Sequence, residues 1–168
     1  MKREKILLAA AAILCAAAVF VMIYVLTAVL PDRTAQQEFV PPAFESTVQT
    51  GEPQPPEELG YTSVNISDGY TAGICSAPKL TEDRQLQVWF SSPADNQVWM
   101  RLQVCSGDGG VLGETGVIKP GEYVESVELT GELPMEEKAV YRIIGYTPES
   151  WHSAGNAELP VTLYGYSG

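Results

Sequence analysis

An unbroken apolar run over residues 6–30 constrains this chain more than any other feature. It reads Ile-Leu-Leu-Ala-Ala-Ala-Ala-Ile-Leu-Cys-Ala-Ala-Ala-Val-Phe-Val-Met-Ile-Tyr-Val-Leu-Thr-Ala-Val-Leu and follows Lys2, Arg3 and Lys5. About 20 apolar residues cross the hydrocarbon core of a bilayer, whereas the apolar part of a cleavable signal peptide has only about 7–15. The run therefore predicts a transmembrane signal-anchor helix, with residues 1–5 in the cytoplasm and the rest of the chain outside the cell membrane. A secretory signal that is removed is the alternative.

The charge balance of the chain is strongly acidic. Asp and Glu number 21 against 10 Lys and Arg, which gives a formal net charge of −11 at pH 7, and the acidic excess lies after residue 30. Such a surface repels phosphate backbones, so we exclude nucleic acid as a partner. The acids are scattered and form no Asp-x-Asp-x-Asp-Gly loop, so the sequence does not predict a calcium site.

The residues that most often perform catalysis are few. The chain has one histidine, His152, and three cysteines. A nucleophilic triad needs a base held against a nucleophile, and no recognisable signature surrounds Cys75, Cys105 or a serine. One histidine and two cysteines beyond residue 30 also leave a tetrahedral zinc site short of a ligand. We therefore expect no enzymatic activity, no metal and no cofactor.

Cys75 and Cys105 form an even pair in the predicted exterior part, where oxidising conditions favour disulfides. The sequence therefore presents this pair as a candidate disulfide. Two free, partly buried thiols are the alternative interpretation.

Residues 31–58 differ in composition from residues 59–168. They contain few apolar residues and six prolines: Pro31, Pro41, Pro42, Pro53, Pro55 and Pro56. Such a stretch cannot bury enough apolar surface to fold, and its prolines stiffen it toward an extended conformation. We predict a disordered Pro-rich stalk over 31–58 and a folded extracellular domain over 59–168.

The pattern after residue 59 is typical of strands. Short runs of alternating apolar and polar residues are separated by turn residues every 8–12 positions, and helical periodicity is absent. Leu86, Val88 and Phe90 share one face of a predicted strand. Val98, Met100, Leu102 and Val104 share one face of the next strand, after a turn over Ser92–Asn96. About seven strands with short connections predict a mainly β fold, an antiparallel immunoglobulin-like β-sandwich.

The turn over Ser92–Asn96 also predicts a hairpin with a defined register. In that register Trp89 faces Trp99 and Gln87 faces Arg101, on the outer face of the sheet. Such an aromatic pair stabilises a sheet locally, or it forms a binding platform for a sugar ring or a partner protein. The candidate binding platform therefore comprises Trp89, Trp99, Gln87 and Arg101.

Three motifs in this region resemble those of a known type of module. They are Phe90-x-Ser92-Pro93-x-x-Asn96-x-x-x-Met100, then Gly116-Val117-Ile118-Lys119-Pro120-Gly121, and Tyr141-x-Ile143-x-x-Tyr146. This order resembles a small β-sandwich module found in uncharacterised membrane-anchored or secreted surface proteins of Gram-positive anaerobic bacteria. The resemblance covers roughly 85–163. It implies the fold and the location, and it carries no catalytic residue onto this chain.

These observations predict a non-enzymatic, membrane-anchored extracellular or envelope module that acts through protein contacts. One alternative is a carbohydrate-binding module that uses the tryptophan pair. Another is an accessory subunit of a membrane complex, in which the apolar run itself binds a partner. The expected partners are the membrane, through one span, and an unidentified protein or glycan.

Overall fold

The computed structural model describes residues 2–24, 39–66, 69–130 and 138–163. The chain forms two compact units, Met1–Val40 and Pro41–Gly168. In the first unit, helix α1 spans Lys2–Tyr24. Within the residues described, no helix combines the length and the apolar character that crossing a membrane requires. The end of the predicted span (25–30) and the start of the predicted stalk (31–38) lie outside the described residues.

The second unit is built from antiparallel strands. Its described strands are β1 (Gln49–Thr50), β2 (Tyr61–Ile66), β3 (Tyr70–Cys75), β4 (Gln85–Ser91), β5 (Trp99–Ser106), β6 (Val111–Glu114), β7 (Glu122–Glu128), β8 (Lys138–Tyr146) and β9 (Ser153–Thr162). A short 3-10 helix, Glu57–Leu59, precedes β2. One sheet has the order β1-β7-β4-β3-β2 and the other β6-β5-β8-β9. The predicted mainly β, antiparallel sandwich is thus confirmed, with nine strands among the described residues where we predicted about seven.

The core lies between the two sheets and follows the alternation in the sequence. Leu86, Val88 and Phe90 of β4 have 0% exposure, and so do Met100 and Leu102 of β5. These side chains belong to one continuous apolar cluster. Because successive residues of a strand point to opposite faces, each strand contributes every second residue to this layer. The predicted inward faces of both strands are therefore correct.

The predicted hairpin between these two strands is wrong. β4 pairs with β3 and β7, whereas β5 pairs with β6 and β8, so the connection over 92–98 crosses from one sheet to the other. The Asn96 side chain holds this crossing: its Nδ2 donates to the Thr71 carbonyl at 2.8 Å and to Ser92 Oγ at 3.0 Å. Its Oδ1 accepts from the Thr71 N–H at 3.1 Å. An arch and a hairpin require the same alternation, so the pattern alone did not distinguish them.

Part of the predicted stalk belongs to the folded domain. We call residues 43–51 the strap, since they run along the edge formed by 116–123. Glu45 N donates to the Val117 carbonyl at 3.0 Å, Val117 N donates to the Ala43 carbonyl at 2.9 Å, and β1 then pairs with β7. The second unit therefore begins at Pro41 and not at residue 59. Backbone hydrogen bonds fix this segment, which explains why its low apolar content was misleading.

Candidate functional site

The structure separates the residues of the predicted platform. Trp89 and Gln87 lie in the five-stranded sheet, and Trp99 and Arg101 lie in the four-stranded sheet. Gln87 is paired with Ser126 rather than with Arg101. The two tryptophans therefore do not face each other, because the connection between β4 and β5 is an arch.

Trp99 instead belongs to an aromatic cluster of Phe44, Trp99, Tyr146 and Trp151. The ring centroids of Trp99 lie 5.0 Å from Phe44 and 4.9 Å from Trp151. Trp151 also contacts Phe44 at 5.6 Å and Tyr146 at 5.7 Å. Most of these contacts are edge-to-face, which aromatic quadrupoles favour. On the other side of Phe44, Lys119 Nζ lies 4.5 Å from the ring centroid.

The loop between β8 and β9 holds Trp151 in this cluster. Thr147 N donates to the His152 carbonyl at 2.8 Å, and Trp151 N donates to the Thr147 carbonyl at 3.0 Å. Trp151 has a φ of 57°, a left-handed conformation that is costly for a bulky residue. The packing of its ring against three neighbours offsets that cost. The aromatic cluster is therefore a set of mutually packed rings on the surface, in which Trp99 and Trp151 are partly buried and Phe44 remains 43% exposed.

Of the four residues in this cluster, only Trp99 was a candidate binding residue, and Tyr146 was noted only as part of a strand motif. Phe44 lies in the stretch predicted to be disordered, and Trp151 lies in a loop whose conformation no local pattern indicated. The available signal was Phe44 itself, a large apolar ring that a solvated stalk does not need.

Trp89 has different surroundings. Its ring stacks on that of Tyr123 with centroids 6.0 Å apart and planes 15° apart. Trp89 has a φ of 45°, and the pairing of β4 with β7 shifts between Gln87 and Phe90. Tyr123 donates its hydroxyl to Gln49 Oε1 of β1 at 2.8 Å. The pair thus lies at a bulge on the five-stranded sheet, beside the strap.

Arg101 makes contacts within the domain. Its guanidinium forms an ion pair with Glu114 of β6 through Nη2, and its Nε donates to the Thr115 carbonyl at 3.1 Å. These contacts tie β5 to the segment after β6. Arg101 therefore stabilises the four-stranded sheet. The prediction that it faces Gln87 is wrong.

A cleft of about 420 Å³ lies between the end of the strap and the arch after β4. Two stretches and two single residues form its walls. They are Gly51, Glu52 and Pro53, then Ser91, Ser92, Pro93 and Ala94, with Gly121 and Tyr61 completing the lining. The strap and the arch are held together here, because Gly51 N donates to the Gly121 carbonyl at 2.9 Å and Gly121 N to the Ser92 carbonyl at 2.7 Å. The cleft is therefore built on hydrogen-bonded backbone.

A hydroxyl pair gives the cleft its polar character. The Tyr61 hydroxyl and Ser91 Oγ are 2.6 Å apart. Gly73 makes room for this pair, since a Cβ at that position would lie 1.9 Å from the Tyr61 hydroxyl. Burial raises the pKa of the Tyr61 hydroxyl, and the nearby Glu52 carboxylate adds to the effect while the bond with Ser91 opposes it. Tyr61 therefore stays neutral at physiological pH and offers a hydroxyl for binding.

Cys75 and Cys105 are buried free thiols, so the candidate disulfide is not formed in the structure. Cys75 ends β3 of one sheet, and Cys105 lies in β5 of the other. By strand alternation each lies on the face opposite the core residues Ile74 and Val104, so the width of the sandwich separates them. Burial raises the pKa of the Cys75 thiol to about 11. At neutral pH this cysteine is therefore a protonated, poorly nucleophilic thiol.

Potential metal-binding side chains do not cluster in the part of the chain that the structure describes. There, no group of three or more His, Cys, Asp or Glu side chains is close enough to hold a metal ion. His152 is exposed in the loop after β8.

Comparison with known proteins gives one distant structural similarity. No protein-family model matches the chain, and no curated protein matches it. A solved structure, CopC from Methylosinus trichosporium OB3b, matches with a TM-score of 0.34 and 11% sequence identity. The match covers 64% of this chain and 97% of that one. A similarity at this level does not bear on function.

Proposed function

We propose that the chain is a non-enzymatic, membrane-anchored module whose immunoglobulin-like β-sandwich is displayed outside the cell and binds a protein partner. The cleft between the strap and the arch is the observation that carries this proposal. Its volume of about 420 Å³ falls within the range of about 300–1,000 Å³ that is usual for binding pockets. Its lining combines apolar walls with a few placed polar groups, which is the composition of a recognition site.

The chemistry near the cleft supports binding rather than catalysis. Tyr61 and Ser91 are hydrogen-bonded to each other, but the pKa of Tyr61 is raised, so its hydroxyl is a poor general base. Ser92 Oγ accepts a hydrogen bond from the Asn96 side-chain amide. Neither serine is thus paired with a group that would activate it as a nucleophile.

The membrane anchor rests on the apolar run over 6–30 and on the basic residues before it. Proteinase added to intact cells should remove the C-terminal domain while the first 30 residues remain with the membrane. A protected domain would reverse the topology. Release of an intact domain beginning near residue 30 would show that the run is a cleaved signal.

Site-specific photocrosslinking tests the role of the cleft. A benzophenone amino acid at Ala94, an exposed position in the cleft, should give a discrete protein adduct in the native membrane. Val111 serves as the control, since it is 46% exposed and lies in β6, away from the cleft. The same adducts from both positions, or none from Ala94, would contradict the assignment of the cleft as the contact site.

Glycan binding is a second candidate, because Trp89 and Tyr123 stack with planes 15° apart on the five-stranded sheet. Parallel rings of this kind suit the flat face of a sugar. A glycan array with the full chain in detergent should then show binding that Trp89→Ala removes. Trp99→Phe is the matched control, since Trp99 is packed in the aromatic cluster, and equal losses in both variants would argue against this candidate.

A further inference from the structure

We propose that the cleft recognises a lysine or arginine side chain on an extended segment of the partner protein. The inference rests on the proposed function and specifies the chemistry of the partner. It assigns the aliphatic stem of the basic residue to the apolar walls and its charged group to Glu52.

The composition of the cleft favours a long side chain with a charged end. Pro53, Pro93 and Ala94 provide apolar surface, and Gly51 and Gly121 add no side chain that would fill the space. Lysine and arginine bury their methylene stems along such surfaces while the charged group stays near water. The partner therefore needs neither an aromatic side chain nor a bulky apolar one to occupy the cleft.

The electrostatics of the cleft select for positive charge. Among the described residues that line it, Glu52 is the one that carries a charge. It is an exposed residue of the lining, and its carboxylate makes the smallest of the contributions that raise the pKa of Tyr61. The chain as a whole has a net charge of −11, so a cationic partner is also attracted over a longer range.

The hydroxyl pair completes the recognition of a basic group. Tyr61 and Ser91 share one hydrogen bond at 2.6 Å, and their oxygens retain lone pairs that accept from an ammonium or guanidinium. Charge-assisted hydrogen bonds of this kind are stronger than neutral ones. The combination of one carboxylate and two hydroxyl oxygens therefore fits a cation better than an anion.

The test uses the full chain in detergent micelles and four biotinylated peptides, Gly-Ser-X-Ser-Gly, with X as lysine, arginine, norleucine or glutamate. Retention on peptide-coated biosensor tips should be greatest for lysine and arginine. Norleucine has a stem like that of lysine without its charge, so it should be retained about two- to fivefold less. The glutamate peptide should show no retention above an uncoated tip.

Three variants separate the cleft from general attraction between an acidic protein and a basic peptide. Glu52→Gln and Ala94→Trp should each lower retention of the lysine peptide, by about two- to fivefold for the lost charge and by more for the filled cleft. Glu82→Gln removes an equal charge from an exposed turn outside the cleft and should leave retention unchanged. Unchanged circular dichroism and unfolding midpoints establish that all three variants fold.

The remaining outcomes distinguish this inference from the proposed function. Equal retention of lysine and norleucine peptides, with both lost in Ala94→Trp, would overturn the inference and leave the cleft as a contact site. Retention of the lysine peptide that neither Glu52→Gln nor Ala94→Trp changes would overturn it as non-specific attraction. Absence of all retention would also overturn it, and the crosslinking at Ala94 would then decide the proposed function separately.

Discussion

The aromatic cluster and the cleft are both completed by the strap, but the strap has opposite effects on them. Phe44 fills the space against Trp99 and Trp151 and so covers their rings. A few residues later, Gly51 at the end of the strap lines one wall of the cleft, together with Glu52 and Pro53 that follow it. At the cluster, Trp99 and Trp151 are partly buried against Phe44, which is itself 43% exposed, while Tyr61 at the cleft is 37% exposed. The two surfaces therefore differ less in the exposure of their aromatic residues than in shape, since a ring fills one and the other stays an open cleft.

The largest expected effect comes from removing Trp99 from the aromatic cluster. Trp99→Ala should lower the free energy of unfolding by about 2–4 kcal/mol, since the ring is only partly buried but joins the strap to the loop after β8. Trp89→Ala, which removes one stacked contact, should cost about 1 kcal/mol. Urea denaturation followed by circular dichroism measures both. An equal or larger effect for Trp89 would break the distinction between a packed cluster and a surface pair.

A second substitution asks whether the strap is seated as closely as the hydrogen bonds indicate. A Cβ at Gly116 would lie 2.5 Å from the backbone of Glu45, so Gly116→Ala should displace the strap. We expect a loss of about 1–3 kcal/mol in unfolding free energy and faster proteolysis within 43–51.

Gly107→Ala is the matched control for this substitution. Its added Cβ would meet no atom closer than 3.6 Å, which is ordinary contact. If Gly116→Ala left both stability and proteolysis unchanged, the strap would contribute little to either surface.

The strap should also respond to acid through Glu45. Burial opposes ionisation of this carboxyl, but hydrogen bonds from the Thr47 and Gly116 N–H groups outweigh it and hold its pKa below the ordinary value of 4.5. Because the folded pKa is the lower one, the stabilisation is fully present above about pH 4.5 and is lost as the pH falls through the folded pKa.

Comparison of wild type with Glu45→Gln measures this contribution. The difference in unfolding free energy should be about 1 kcal/mol at pH 7 and should shrink below pH 4.5. A difference that stays constant down to pH 3 would mean that the carboxylate does not anchor the strap.

The smallest expected effect is that of a reductant, which tests whether a disulfide between Cys75 and Cys105 adds to the stability of the domain. Since Cys75 and Cys105 are free thiols, a reductant should not change the unfolding midpoint. Thiol-reactive reagents at pH 8 should modify Cys75 only after unfolding, because its pKa is raised to about 11 and it is buried. Mass spectrometry of the non-reduced protein gives the direct answer. A loss of two hydrogens that maps to these cysteines would show that they are bridged.

The predicted strands were correct in the feature that alternation determines, namely which side chains face the core. Leu86, Val88 and Phe90 face the core because a half-buried strand requires a period of two, and the sequence contains that period. The pairing partner of a strand is not local information. β4 and β5 carry equally good inward faces whether they lie side by side or in opposite sheets, and the Asn96 amide that favours the arch acts on Thr71, 25 residues away.

The error at the candidate site has the same physical cause. The position of Trp99 on an outer face follows from alternation, but its covering by Phe44 depends on a segment about 55 residues earlier in the chain. The cleft is formed by four separate parts of the chain that meet only after folding, so no local motif predicted it. Composition described 31–58 as unable to fold alone, which is compatible with residues 43–51 folding against an existing edge.

The strap also determines how the domain bears mechanical load. Any pull on the chain ahead of Pro41 reaches the β-sandwich through Ala43–Glu45 first and through the pairing of Gln49 and Thr50 with β7 afterwards. If the strap detaches from this end, the hydrogen bonds of Ala43 and Glu45 with Val117 break first, and Phe44 leaves the tryptophans before Gly51 leaves Gly121. Such a partly detached state exposes the aromatic rings while the pairing of β1 with β7 is still in place.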